Sequence, residues 1–374
     1  MRPLRSLAAR APSTKTPPAS SRARNQRTQN FDLRFADAVR ALNIEITPPI
    51  VLALSGGGDS IALMTLLSHW ALDDRRSRTK HSLHALIVDH GLRSGSAGEA
   101  KNTAALARSA GWNAHILKWS GGKPTSNIED AARKARYALM GKWCRLHKAR
   151  CLFVGHTRND VAETFLLRLG RGSGVDGLSA MRAVAPYPFE GFGELSVLRP
   201  LLDFGREELR AYLQKECIGW REDPMNKDPR FARTRIRELM PALEAAGVSQ
   251  RRIYDAACHL ARAREALEDD MDTFLRTHTT INISGNALVD RDALHAAPRE
   301  IGLRALSKLI SEVSGTQYRP RFERLLALYS GLCNTTKFRA RTLQGCRIGP
   351  APKRLQSFGV GTIEIKREKA RKGP

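Results

Sequence analysis

A doubly wound α/β domain with a parallel sheet, followed by a helical domain and a small C-terminal α/β region, is the architecture that this sequence predicts. Three observations carry the prediction. Short apolar runs alternate with helical periodicities from about residue 48 to residue 220, and the first run empties into a cluster of glycines. After residue 220 the alternation stops and helical spacing takes over. Strands alternating with helices imply a parallel sheet, and such sheets collect ligands beyond the carboxyl ends of their strands.

The elements follow in order. Residues 1–30 are set apart, with Arg2, Arg5, Arg10, Lys15, Arg22, Arg24 and Arg27 scattered among Ser, Thr, Ala and Pro, and no acidic residue before Asp32. Transit peptides share that composition. Pro12, Pro17 and Pro18 interrupt any amphipathic helix, which favours a disordered basic arm and a cytoplasmic chain over an organellar one. Pro49 to Leu54 is a buried strand, Ile61 to Leu72 a helix, His84 to Asp89 a second strand, and Gly98 to Ala110 a second helix. Asn113 to Lys118 gives a third strand. Ile128, Ala131, Ala132, Ala135 and Leu139 recur at helical spacing behind the candidate cap Asn127. Cys151 to Val154 and Asp160 to Leu169 complete the alternating part. Asp223-Pro224 and Asp228-Pro229 then mark turns, and Asp228 with Pro229 suits the start of a helix. Ile236, Leu239, Met240 and Leu243 supply that helix's apolar stripe, and a second helical pattern runs from Ile253 to Leu275. The expected divisions are therefore a tail at 1–30, a catalytic domain at 31–220, a helical segment at 221–278 and a C-terminal domain at 279–374.

Charge narrows the partners. A formal +25 over 374 residues favours a polyanion, and nucleic acid is the commonest one. No apolar run approaches the roughly 18–20 residues of a membrane span, so no membrane partner is expected. Six widely spaced cysteines include no C-x-x-C pair, which removes the usual signature of zinc ribbons, iron–sulfur loops and thioredoxin-like chemistry.

The strongest chemical signal is Ser55-Gly56-Gly57-Gly58-Asp59-Ser60, between a strand and a helix. Glycines let the backbone turn sharply and aim several N–H groups at one anion, and the helix adds its positive end. Ser55 and Ser60 can donate hydroxyls, and Asp59 can hold Mg²⁺ against phosphate. The Walker lysine is missing, so this is a phosphate loop of another kind. Farther on, Asp160 and Glu163 lie three apart at a helix start, so their carboxylates share a face. Such a pair suits an ammonium ion or a metal, and it equally offsets the positive end of a helix. Arg136 can clamp phosphate, while His90 and His156 end strands, where either a site or a structural histidine belongs. Arg230, Arg233 and Arg237, with Arg235 between them, form an arginine face opposite the apolar stripe. It reads as packed inward on one side and phosphate-binding outward on the other.

The loop resembles that of the ATP pyrophosphatase family, whose members cleave ATP between its α and β phosphates. Val88 to Arg93, Ala135-Arg136-Tyr137, Gly155-His156, Asp160 through Thr164, Arg171 to Gly174, Arg199-Pro200-Leu201, Asp223-Pro224 and Arg233 to Arg237 follow in order. As a set, over about residues 45–245, they resemble the tRNA(Ile)-lysidine synthetase family. That resemblance implies an ATP- and Mg²⁺-dependent ligase that joins free L-lysine to C2 of the first anticodon cytidine of tRNA(Ile) bearing CAU. It also implies Ser55 to Ser60, Asp89, His90 and His156 at the nucleotide, Asp160 and Glu163 at lysine, and Arg136 at the reacting centre. Asn159 and Val161 stand where Asp and Gln are commoner in that family. A monomer and a homodimer are equally compatible with the sequence. A tRNA thiolation enzyme, an amidotransferase-type synthetase and a non-catalytic tRNA binder are the rival readings. The missing C-x-x-C weighs against the first and the intact loop against the last.

Overall fold

The computed structural model describes residues 21–73, 82–122, 128–222, 232–316, 318–334 and 338–368. The chain forms two compact units, one of residues 1–173 and 180–257, the other of residues 174–179 and 258–374. The divisions expected at 220 and 278 fall inside these units. The reason is local packing: Ala162, Met240 and Ile253 share one apolar cluster with Phe165, Leu166 and Leu243, so the first helices beyond residue 220 stay with the sheet domain.

In the first unit the elements run α1 (Ser21–Arg40), β1 (Ile50–Ala53), α2 (Gly58–Asp73), β2 (Leu83–Asp89), α3 (Ser96–Ser109), β3 (Asn113–Lys118), α4 (Ile128–Leu146), β4 (Cys151–Val154) and α5 (Arg158–Leu169). After α6 (Val175–Leu178), which belongs to the second unit, come β5 (Val184–Pro186), β6 (Ser196–Leu198), α7 (Arg206–Lys215), α8 (Ala232–Ala245) and the start of α9 (Gln250–His278). The sheet order is β3-β2-β1-β4-β6-β5, parallel except for the terminal β5. Alternate residues serve opposite faces. Ile50, Leu52, Ala85, Ile87 and Phe153 join the core under α1, α2, α3 and α7, while Val51, Leu86, Leu152 and Val197 pack with Tyr137, Met140 and Trp143 of α4. Both faces are covered, as a parallel sheet requires.

Helix α1 corrects an expectation, because the basic arm read as disordered through residue 30 is helical from Ser21. Phe35, Val39 and Leu42 are buried in the core, and Phe31 stacks on Tyr212 with ring centroids 5.0 Å apart. This apolar stripe at helical spacing gives the segment a surface to dock on. The candidate cap at Asn127 and the turns at Asp223-Pro224 and Asp228-Pro229 lie outside the described residues.

The second unit holds a sheet of order β7-β8-β11-β10-β9, built from β7 (Thr279–Ile281), β8 (Ala287–Asp290), β9 (Arg341–Leu343), β10 (Cys346–Pro350) and β11 (Thr362–Arg367). All its pairings are antiparallel. Helices α10 (Arg291–Ala296), α11 (Arg299–Ser314) and α12 (Phe322–Asn334) cover it, with Leu306, Ile310, Leu328, Leu332, Ile348 and Ile365 in its core. Asp176 of α6 binds Arg304 at 2.6 Å and also pairs with Arg319, which fastens the six-residue excursion 174–179 into this unit. Among the described residues, no helix is long and apolar enough to cross a membrane.

Candidate active site

In the first unit, β1 lies between β2 and β4, and their carboxyl ends open into one crevice, the switch point of a doubly wound sheet. The loop after β1 is shaped by what its glycines exclude. Gly56 has φ +85°, and a Cβ there would stand 2.6 Å from Thr103 Oγ1. A Cβ on Gly58 would lie 3.2 Å from the Trp220 ring, and one on Gly155 would meet the Asp59 backbone at 3.1 Å. Ser60 Oγ donates to the Gly57 carbonyl at 2.9 Å and lies 3.0 Å from Ser55 Oγ. These contacts brace the loop around the start of α2, whose positive end faces the crevice.

Opposite the loop, acidic and basic side chains form a network. Arg206, the first residue of α7, reaches three carboxylates: its Nε donates to Asp59 Oδ2 at 3.2 Å, Nη1 donates to Glu163 Oε1 at 3.3 Å, and Nη2 lies 3.6 Å from Asp160 Oδ1. Arg237 takes Glu163 bidentately, at 2.6 Å to Oε1 and 3.1 Å to Oε2. The other oxygen of Asp160 accepts from the Thr157 amide at 2.8 Å and the Thr157 hydroxyl at 2.9 Å, a capping box on α5. Asp160 therefore serves the helix end with one oxygen and the crevice with the other.

Protonation follows from these surroundings. Burial pushes the Asp59 carboxyl above its ordinary range, although Arg206 draws it back. Burial acts upward on Asp160 as well, but Arg206, His156 and the two bonds from Thr157 outweigh it and hold that carboxyl low. Burial works against the charge of Arg206, and the carboxylates of Asp59, Asp160 and Glu163 overcome it. His156 is pushed down to about 4 by burial, against the pull of Asp160, so the ring is neutral near pH 7. Arg199 Nε donates to its Nδ1 at 3.2 Å, which places the ring proton on Nε2.

One cavity of about 700 Å³ brings together Ser55 to Ser60, Asp89, His90, Arg136, His156, Asp160, Glu163, Arg233 and Arg237. His90 Nε2 and Arg136 Nη2 are 3.4 Å apart on its wall. Asp89 turns one oxygen to its own loop, accepting from the Gly91 amide at 3.0 Å and Ser96 Oγ at 2.8 Å. The face of α8 is a correction. Arg233 and Arg237 line the cavity, whereas Leu239, expected in the apolar stripe, is 47% exposed. The buried carboxylate of Glu163 takes the guanidinium of Arg237, which turns that edge of α8 inward. Arg235 is exposed and does not line the cavity, and Arg230 lies outside the described residues.

Arg206, Arg221, Glu99 and Gln250 line the same cavity and were not legible as site residues. A signal existed for Arg206: a cation in the first turn of a helix opposes the macrodipole, so something else must hold it there. For magnesium, the donor set fits an ion that takes one carboxylate, Asp59, and completes its shell with phosphate oxygens and water. No group of three or more His, Cys, Asp or Glu suited to a metal occurs among the described residues. No described cysteine lines the cavity, and burial pushes the Cys144 thiol up to about 12.

Residues 29–243 match the PP-loop domain family. A tRNA(Ile)-lysidine synthase of Ruegeria pomeroyi is 38% identical over 298 residues, which cover 79% of this chain and 68% of that protein. The tRNA(Ile)-lysidine synthase of Rhodopseudomonas palustris is 39% identical over 304 residues, covering 80% of this chain and 85% of that one. Among solved structures, the U34-tRNA thiolase NcsA from Methanococcus maripaludis with its [4Fe-4S] cluster superposes with a TM-score of 0.50. At 15% identity, over 67% of this chain and 81% of that one, it shares the fold alone.

Proposed function

This chain belongs to the tRNA(Ile)-lysidine synthase family of PP-loop enzymes, and from that membership we infer how its cavity carries out an ATP-dependent ligation of lysine to tRNA(Ile). The observation that carries the reading is the convergence of Asp59, Asp160 and Glu163 on a single cation beside the glycine loop. A phosphate cradle and an ammonium cradle then share one cavity, as a ligase that takes both ATP and lysine needs.

In the first step, ATP lies with its phosphates on the Ser55–Ser60 loop. The C2 oxygen of the first anticodon cytidine attacks the α phosphorus, the bond to the β-phosphate oxygen breaks, and pyrophosphate leaves. Mg²⁺ held by Asp59 would neutralise charge on the leaving group. Arg136 and Arg133 on the cavity wall supply further positive charge where phosphate charge develops. The cytidine oxygen is a weak nucleophile, so positioning and electrostatics carry most of the acceleration.

In the second step, the ε-nitrogen of lysine attacks C2, the C2–O bond breaks, and AMP departs. The amine must first lose a proton, since its ordinary pKa is about 10.4. Asp160, held anionic, is the recognition group. Asp59, pushed upward, is the more basic of the two carboxylates. Carboxylates that grip the ammonium also favour its charged form, so proton loss has to follow binding.

The deciding measurement is incorporation of labelled lysine into tRNA transcripts. An isoleucine transcript with a CAU anticodon should be labelled, and its UAU version and a CAU-bearing methionine tRNA should not. Equal labelling of all three would overturn the assignment to one tRNA, and labelling of none would overturn the ligase reading.

A further inference from the structure

The ammonium cradle is already filled by a cation of the chain itself. Arg206 offers Nε, Nη2 and Nη1 to three carboxylates at 3.2, 3.6 and 3.3 Å. An alkylammonium also presents three N–H donors, so the cradle accepts either cation, and the two repel if both approach the same oxygens. The backbone of Arg206 is fixed, its amide donating to Asn159 Oδ1 at 2.9 Å while Asn159 in turn bonds Gln250. Any exchange therefore falls to the side chain. That side chain spans the two halves of the cavity: Asp59 belongs to the glycine loop, and Asp160 with Glu163 belongs to α5.

We propose that Arg206 is the ordering residue of the reaction: it stands in for the lysine ammonium until the phosphates of ATP draw its guanidinium off the carboxylates. The proposal rests on the reading of Asp160 and Glu163 as the lysine site. Phosphates on the loop arrive at the Asp59 end of Arg206, and a guanidinium pairs with phosphate through two charge-assisted bonds. Moving toward them frees Asp160 Oδ1 and removes one of the two donors on Glu163 Oε1, while Arg237 keeps its bonds to both oxygens and holds Glu163 in place. Lysine thus enters a charged nucleotide complex rather than the empty enzyme. The amine is kept away from the base until the base can be adenylated.

The test is calorimetric titration of the full chain with lysine, with and without an ATP analogue that cannot be cleaved between its α and β phosphates. In the wild type the analogue should tighten lysine binding at least about tenfold, within the usual range of coupling between sites. In Arg206→Gln, lysine should bind at least about tenfold more tightly than to the wild type without nucleotide, and the analogue should add almost nothing. Arg206→Lys keeps the charge and should keep most of the coupling. Equal lysine affinity with and without analogue in the wild type overturns the proposal, even if Arg206→Gln does not fold. So does a lysine affinity in Arg206→Gln no higher than the wild type's, or loss of coupling in Arg206→Lys. Glu163→Gln separates the two readings. It should weaken lysine at least about tenfold with or without the analogue, and unchanged binding there removes the lysine site itself.

Discussion

His156 shows how far a single residue can be argued. Its proton sits on Nε2 because Nδ1 accepts from Arg199, and burial keeps it neutral near pH 7. The folded form takes a proton only near pH 4, against an ordinary value of 6.5. Between those values the unfolded chain binds the extra proton, so this residue's stability contribution is present above the window and falls as pH drops through it. The expected loss from His156 alone, between about pH 7 and 4.5, is on the order of 2 kcal/mol. Urea unfolding of wild type and His156→Gln across that range checks it, and the variant should show the shallower slope. Asp160, held low, acts at still lower pH, and the other shifted groups, Asp59 and His84 among them, are common to both proteins and cancel in the comparison. At this scale the sequence was legible where chemistry is local. The glycines of Ser55–Ser60 and the three-residue step from Asp160 to Glu163 can be read from a short window. Arg206 cannot, because the carboxylates that give it a role are 147 and 43 residues away in the chain.

At the scale of elements, strands and helices from residue 50 to 169 were legible because each apolar run had one period and a clear stop. Elements outside that stretch were read less well, among them α1, α7 and α8. The stripe Phe31, Phe35 and Val39 of α1, continued by Leu42 just beyond it, adjoins a basic arm whose composition drowned it. Phe35 is fully buried, so Phe35→Ala should cost about 3–5 kcal/mol, measured as a fall in the urea midpoint with an unchanged slope. A loss below about 1 kcal/mol would mean that α1 is an appendage. In α8 the apolar stripe holds at Met240 and Leu243, while Leu239 is exposed and the arginine face is not wholly outward. Arg233 lines the cavity and Arg237 pairs with Glu163, a placement that depends on a residue of α5 that no helical wheel of α8 contains.

For the whole molecule, the surplus of 62 Lys and Arg over 37 Asp and Glu remains the best guide to the partner. Arg237 spends its charge on Glu163, so backbone contacts with tRNA must come mainly from the exposed cations. Affinity for tRNA(Ile) should fall linearly in log–log form with salt, by at least about tenfold between about 50 and about 200 mM. Filter binding across that range measures it, and a flat response would remove the electrostatic account. Charge of this kind is legible from composition alone, but which cations carry it is decided by the fold.

The excursion at residues 174–179 bears on how such a chain can be taken apart. The polypeptide leaves the first unit, gives the second one helical turn anchored by Asp176, and returns before leaving for good after Ala257. Neither unit is therefore one uninterrupted stretch of gene. A stop codon after Ala257 strands six residues without their hosts, and the missing half keeps Arg304, 8% exposed, with Glu300 as its remaining carboxylate. A graft of the C-terminal region onto another PP-loop scaffold would have to carry this loop with it. The two units interleave in the chain, so a crossover that keeps both whole has to carry residues 174–179 along with the residues after 257.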